Sequence, residues 1–498
     1  MPVSNKRSEY RRRLKQRHDK KLQSGCTNMN IICLVFFIAT LLFYIHNPPS
    51  YDLSVDDRDL QHIDDSRKKW ADEGIPLSNI NEIYNNDIPN TTNNSNSKLY
   101  TSSIDTVIGY LNKLANMSPT EAWNYFGMED KTYGNDPFSL KELESGICPT
   151  TQIDWLPPRP YNSNEIATKY KQMMQMHRKG GRRRSQAEQY NVEDEVVIWY
   201  EHLSKAGGTT FCGLVNSNML HWQIPRYHCM PKRDDRVDGR VGTWTNEYLV
   251  EYLRDERYNV VANEWDSFSI DKLQLSRRQL DGSIPKVNLE PIGPSLLFLT
   301  TLRDPCDRLL SAYTFFAVTT TEGKREAKNQ SPPTFRKWIA SNIGRAGEYV
   351  VGDLDSRKGL GANTARANHI VWRFSGGALT NEVPLKQSEW KAPFETAIRV
   401  LSQQDLVLPM DLMTQDNLGK RALQELLGWH KFEVGGRMRR KNNAENGHVV
   451  PMGGIKNSDA RNHFSKEEFQ QLWEENWLDN ILYLWCRAVF LARLHCNI

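Results

Sequence analysis

One stretch of this chain limits what can surround it. The apolar run VVIWY (196–200) leads directly into EHLSKAGGTTF (201–211). Consecutive β-branched and aromatic residues predict a buried strand. Gly207 and Gly208, followed by Thr209 and Thr210, predict a tight strand-to-helix turn with the helix beginning near Thr209. Such a turn suits an anion. Glycines let the backbone approach, amides point at the ligand, and the helix start adds partial positive charge. Lys205 adds a full one. A phosphate or sulfate is the expected occupant, although the same residues can also form a turn with no ligand. The loop of nucleoside triphosphatases is excluded, because there the lysine follows the glycines and here it precedes them.

Two further runs, NVVAN (259–263) and SLLFLTTL (295–302), have the same apolar character, and helix-sized segments separate them. Strands of this kind predict a parallel sheet covered by helices on both faces. The third strand runs into Arg303-Asp304-Pro305. Asp304 is suited to cap a helix and Pro305 to open it. Arg303 would then stand beside a helix start with Ser311 two turns on. There a guanidinium can grip phosphate through its bidentate fork, or the junction can be purely structural. Glu264 follows the second strand, at the carboxyl edge where open α/β sheets bind ligands. His221 and His228 lie between the loop and Glu264. Ser465 and Glu468 predict a capping box. The stripe Phe469, Leu472, Trp473, Leu478, Ile481, Leu482, Trp485 and Val489 predicts helical core.

The segment from Lys205 to Thr210 resembles the 5′-phosphosulfate-binding loop of the Golgi carbohydrate sulfotransferases. The pattern is nearest to that of the heparan sulfate 6-O-sulfotransferases and their relatives. Arg303 to Tyr313 resembles the 3′-phosphate-binding element of the same family. Softer likenesses at 360–377, at 397–429 and in the last helices extend the resemblance over about 193–495. It implies a P-loop-like parallel sheet, the sulfotransferase fold, with 3′-phosphoadenosine 5′-phosphosulfate as co-substrate and no metal. Lys205, Ala206, Gly207, Gly208, Thr209 and Thr210 would hold the phosphosulfate, and Arg303 and Ser311 the 3′-phosphate. The implied reaction is in-line transfer of the sulfuryl group to a glycan hydroxyl, with Lys205 assisting the leaving group.

The base is less determined. Glu264 resembles the glutamate base of the 3-O- and N-sulfotransferases. The 6-O relatives use a histidine after the first helix, so His228 or His221 is the alternative. The long interval between Lys205 and Glu264, Ala206 in place of threonine, and Cys306 in place of an aliphatic residue depart from the family pattern. A tyrosylprotein or lipid sulfotransferase, or an inactive lumenal glycan-binding protein of the same fold, are the competing readings.

Charge distribution supplies a location. Residues 1–30 hold nine Lys/Arg against two Asp/Glu, a net of +7, while the whole chain carries +4; residues 31–498 therefore carry 4 − 7 = −3. Basicity confined to one tail gives no reason to expect nucleic-acid binding. The uncharged run IICLVFFIATLLFYI (31–45) follows that tail. It predicts a short membrane span with the tail in the cytosol. The expected order is a cytoplasmic tail (1–30), a signal anchor (31–46), a lumenal stem with a helical extension (47–192) and a catalytic domain (193–498), as a single-pass type II Golgi membrane protein.

Sequons at Asn90, Asn93, Asn116 and Asn329, and six cysteines after the anchor, fit a lumen that permits disulfides. The sequence does not choose their pairing. No zinc-ligand spacing occurs, so no metal site is expected. Basic runs at 182–184 and at Arg437, Arg439, Arg440 and Lys441 suit an acidic polysaccharide or proteoglycan-like acceptor, or are solvated loops.

Overall fold

The computed structural model describes residues 101–127, 135–149, 153–180, 195–233, 236–237, 239–283, 293–314, 334–342, 367–380, 383–414, 417–432 and 460–496. The expected tail, the anchor, stem residues 47–100, the basic runs at 182–184 and 437–441, and the sequons at Asn90, Asn93 and Asn329 lie outside them. Among the described residues no helix is long and apolar enough to cross a membrane.

The chain is mixed α/β. Four strands, β1 (Val196–Glu201), β2 (Val260–Asn263), β3 (Ser295–Leu302) and β4 (Leu406–Pro409), form one all-parallel sheet in the order β2-β1-β3-β4. Trp199 sits opposite Val261 on one side and Phe298 on the other. Leu299 opposes Leu406. Every residue of β1 and β2 is buried, because helices cover both faces and leave no solvent side on which polar residues could alternate. The three runs read from the sequence form β1, β2 and β3.

From β1 the chain crosses to β2 on one side, and from β3 it crosses to β4 on the other. The connections leaving β1 and β3 therefore diverge. That divergence at the carboxyl edge marks the crevice in which open parallel sheets hold ligands.

The helices used below, among those of the described residues, are α1 (Ile104–Ala115), α2 (Pro119–Phe126), α3 (Ser163–Gly180), α4 (Gly208–Asn218), α5 (Asn246–Glu256), α6 (Pro305–Tyr313), α7 (His369–Phe374), α8 (Gln387–Ser402), α9 (Asn417–Leu427), α10 (Lys466–Glu475) and α11 (Trp477–His495). The Ser465–Glu468 capping box opens α10. The whole stripe from Phe469 to Val489 is buried. Helix α11 is apolar nearly all round, the mark of a core helix, and packs against β4, α1 and α7.

Residues 101–180 are built into the same core. Helix α1 packs on α8, and α3 packs on β1 and β3. Trp123 of α2 meets Phe469 and Trp473 edge-on, with ring centroids 5.9 and 5.6 Å apart. Trp485 Nε1 donates to the Trp155 carbonyl at 2.7 Å. The disulfide Cys148–Cys496 joins this region to the end of α11. Residues 177–180 finish α3. The buried Tyr170, Met173, Met174 and His177 carry that helix onward.

Candidate functional site

The loop after β1 turns as its glycines require. Gly207 has φ +98°, a backbone conformation open to glycine, and it caps α4. Phe211 N–H makes the first intrahelical bond, to the Gly207 carbonyl. The amides of Gly208, Thr209 and Thr210 lie ahead of that bond, at the positive end of the helix. Gly208 is required for a second reason: a Cβ there would stand 1.7 Å from His202 Nε2. A Cβ on Gly207 would stand 3.1 Å from Met413 and 3.2 Å from Met410, both in the short helix after β4. Ala206 is fully buried, and its amide closes the turn onto the Leu203 carbonyl. Thr209 is exposed and Thr210 half-buried.

Lys205 is itself in the left-handed region, at φ +68°. Burial, with Arg303 adding like charge, pulls its ammonium down to about 8, against the opposing pull of the Glu264 carboxylate. An anion in the crevice would restore the charge that burial disfavours.

Arg303 leaves β3 as Lys205 leaves β1, and the two flank the crevice. Arg303 Nη1 reaches the Lys205 carbonyl at 3.5 Å. Burial lowers its pKa, partly offset by Asp307 and Asp304. Asp304 caps α6 by accepting from Asp307 N–H at 3.0 Å, with Pro305 in the first turn. Ser311 lies half-buried on α6, two turns from the cap.

Glu264 extends beyond β2, and the Gly239 carbonyl receives both the Glu264 and Trp265 amides at 2.9 Å. Glu264 Oε2 stands 3.4 Å from Nδ1 of the buried His202. His228 sits in a turn whose two residues His228 and Cys229 both have positive φ. The disulfide Cys212–Cys229 ties that turn to α4. The Ala262 amide ties it to β2 through the Cys229 carbonyl at 2.8 Å. His228 thus lies within electrostatic reach of His202. His221 is elsewhere: it is exposed, in a turn whose Gln223 bonds Asn259 at the start of β2. That is the amino edge of the sheet, away from the crevice. The long interval between Lys205 and Glu264 is filled by α4, this disulfide-bonded turn, the two-residue strands Lys232–Arg233 and Arg236–Val237, and α5.

Two residues that carry the site have no motif around them. Arg373 of α7 is buried and pairs through Nε with Glu201 Oε1 at 2.5 Å. It also donates to the carbonyls of Glu264 at 2.8 Å, Asn263 at 2.5 Å and His202 at 3.5 Å. One guanidinium therefore holds the ends of β1 and β2 together. Glu201 is completed by Trp199 Nε1 at 3.0 Å and Asn263 Nδ2 at 2.9 Å. The only sequence signal for this pair is a charge at the edge of each apolar run, and it names no partner. His202 was equally hidden, although it stands three residues before Lys205.

Lys205, Gly207, Gly208, Arg303, Glu264 and His228 are thus gathered at one sheet edge, and Ser311 is on the helix that Arg303 introduces. Among the described residues no His, Cys, Asp and Glu cluster could hold a metal ion. No protein-family model, curated protein or solved structure matches this chain.

Proposed function

We propose that this chain is a sulfotransferase that moves the sulfuryl group of 3′-phosphoadenosine 5′-phosphosulfate to a hydroxyl of a glycan, on a P-loop-like sulfotransferase fold. The observation that carries the reading is Lys205 and Arg303 beyond the carboxyl ends of two paired strands, in contact through the Lys205 carbonyl, with the helix-start amides directly after Lys205. A nucleotide carrying a phosphosulfate at one end and a phosphate at the other matches two anion grips on adjacent strand ends. Lys205 and the amides of Gly208, Thr209 and Thr210 take the phosphosulfate, and Arg303 with Ser311 takes the 3′-phosphate.

In the reaction the acceptor oxygen forms a bond to sulfur, and the bond from sulfur to the bridging oxygen breaks. The acceptor proton passes to Glu264, whose carboxylate acts on the Lys205 charge, with His228 as the alternative base. Charge growing on the departing 5′-phosphate is met by Lys205 and the amides. Groups preorganised in this way contribute roughly 10²–10³ in rate apiece.

A lumenal, type II Golgi placement is supported by the two disulfides among the described residues, and by the exposed Asn116 sequon at the end of α1. An acidic polysaccharide or proteoglycan-like acceptor is the class that the basic runs favour.

The test is transfer of radiolabelled sulfate from the nucleotide to a panel of glycans by the full chain. Lys205→Ala and Arg303→Ala should each lower transfer about 100-fold or more. Unchanged transfer in both variants would remove the site. A wild-type protein that binds the nucleotide and labels nothing would instead be a glycan-binding relative of the fold.

A further inference from the structure

His202 is the residue of this crevice that no motif accounts for, and its surroundings are unusual for a core histidine. It is 5% exposed, at the point where β1 ends and the loop begins. Its ring stacks on Tyr200, with centroids 5.5 Å apart. The other face of its position is closed by Gly208, whose missing side chain makes room for the ring. Nδ1 is buried without a hydrogen-bond partner, yet it lies 3.4 Å from Glu264 Oε2. A buried ring nitrogen 3.4 Å from a carboxylate oxygen, with no hydrogen bond formed, can close into one when the site is occupied, since catalytic bonds are often long or poorly aligned in the free enzyme.

We propose that His202 is the positioning residue for Glu264: its Nδ1–H fixes one carboxylate oxygen so that the other faces the acceptor hydroxyl. The idea rests on the sulfotransferase reading above. It adds a histidine–carboxylate pair to that reading, and links the base to the phosphosulfate loop through the contact between His202 and Gly208. Anchoring one carboxylate oxygen also selects the tautomer of the imidazole, as paired histidines generally do.

The groups facing His202 favour a neutral imidazole. Burial acts first and lowers its pKa. His228 from the disulfide-bonded turn, Arg373 from α7 and Lys205 from the loop act in the same direction, against Glu264. A neutral donor can orient Glu264 without competing for the proton that Glu264 must accept.

The experiment compares wild type, His202→Phe and His202→Gln. His202→Phe should lower kcat about tenfold or more and leave the KM for the nucleotide within about twofold. His202→Gln keeps an N–H donor and should recover part of the loss. A folded His202→Phe protein with wild-type kcat would overturn the proposal. Nitrogen-15 NMR of the histidine side chains gives a readout that needs no turnover: His202 should appear as the Nδ1–H tautomer and respond to Glu264→Gln. An Nε2–H tautomer, or no response, overturns the pairing even if transfer is robust. Absence of transfer by wild type, with the expected tautomer present, would instead count against the sulfotransferase reading alone.

Discussion

The Lys205 side chain is partly buried and lies beside Arg303, and both features raise the cost of keeping it charged. Its pKa of about 8 has a consequence for ligand binding. Below that pH the ammonium meets an anion fully charged. Above it, binding must first restore the proton, so affinity falls by up to tenfold per pH unit. Calorimetric titration of 3′-phosphoadenosine 5′-phosphate between about pH 6.5 and 9.5 should therefore show affinity breaking downward near pH 8, and Lys205→Arg should flatten the curve. A wild-type curve with no break would deny Lys205 its charge-bearing role. In the free protein the sign reverses: the buried charge costs stability below pH about 8, and the cost fades as pH rises toward the ordinary lysine range. Lys205, Arg303 and Asp304 were readable in the sequence because their work is local, at a turn or a cap. The partnership of His202 with Glu264 was not, since 62 residues separate the members and only the sheet register joins β1 to β2 at that level.

Among the elements, α7 shows how a short helix can set the geometry of a distant loop. Its Arg373 binds Glu201 and the carbonyls of His202, Asn263 and Glu264, so it locks two strand ends at the height where the loop and the base emerge. Removing one member of a buried ion pair strands the other charge in a medium that cannot solvate it, typically at a cost of about 3–5 kcal/mol. Arg373→Met should therefore shift the chemical denaturation midpoint by a corresponding amount, and lower transfer as Glu264 loses its backbone support. Glu201→Leu combined with Arg373→Met should be more stable than Arg373→Met alone, because no charge is left unpaired. Equal midpoints for wild type and Arg373→Met would show that the pair does not fix the strand ends. The strands themselves were legible, since burial on both faces writes an uninterrupted apolar run. Their order, and the identity of the residue bridging β1 to β2, were not: parallel pairing is set by crossovers whose lengths carry no address.

At the largest scale, the described part of the chain is held together by its first helices and its last. The helices of residues 101–180 cover the sheet and α11, although the family-like motifs all lie beyond residue 193. Trp123 wedges against Phe469 and Trp473, Trp485 bonds the Trp155 carbonyl, and Cys148 is joined to Cys496. Asp405, which bonds the Phe298 amide at 2.8 Å and pairs with Arg278 at 2.7 Å, also receives the Ser163 hydroxyl of α3. A chain beginning at residue 193 would leave Cys496 without its partner and bare one side of a helix that is apolar nearly all round. Exposed apolar faces of that size promote association. The expected outcome is that residues 193–498 alone elute as aggregate on size exclusion or lack a cooperative thermal transition. Residues 99–498 should be monodisperse with one transition. If the shorter chain proved monodisperse with the same Tm, the N-terminal helices would be a separable extension, and the core would have to be closed by α10, α11 and the sheet without them.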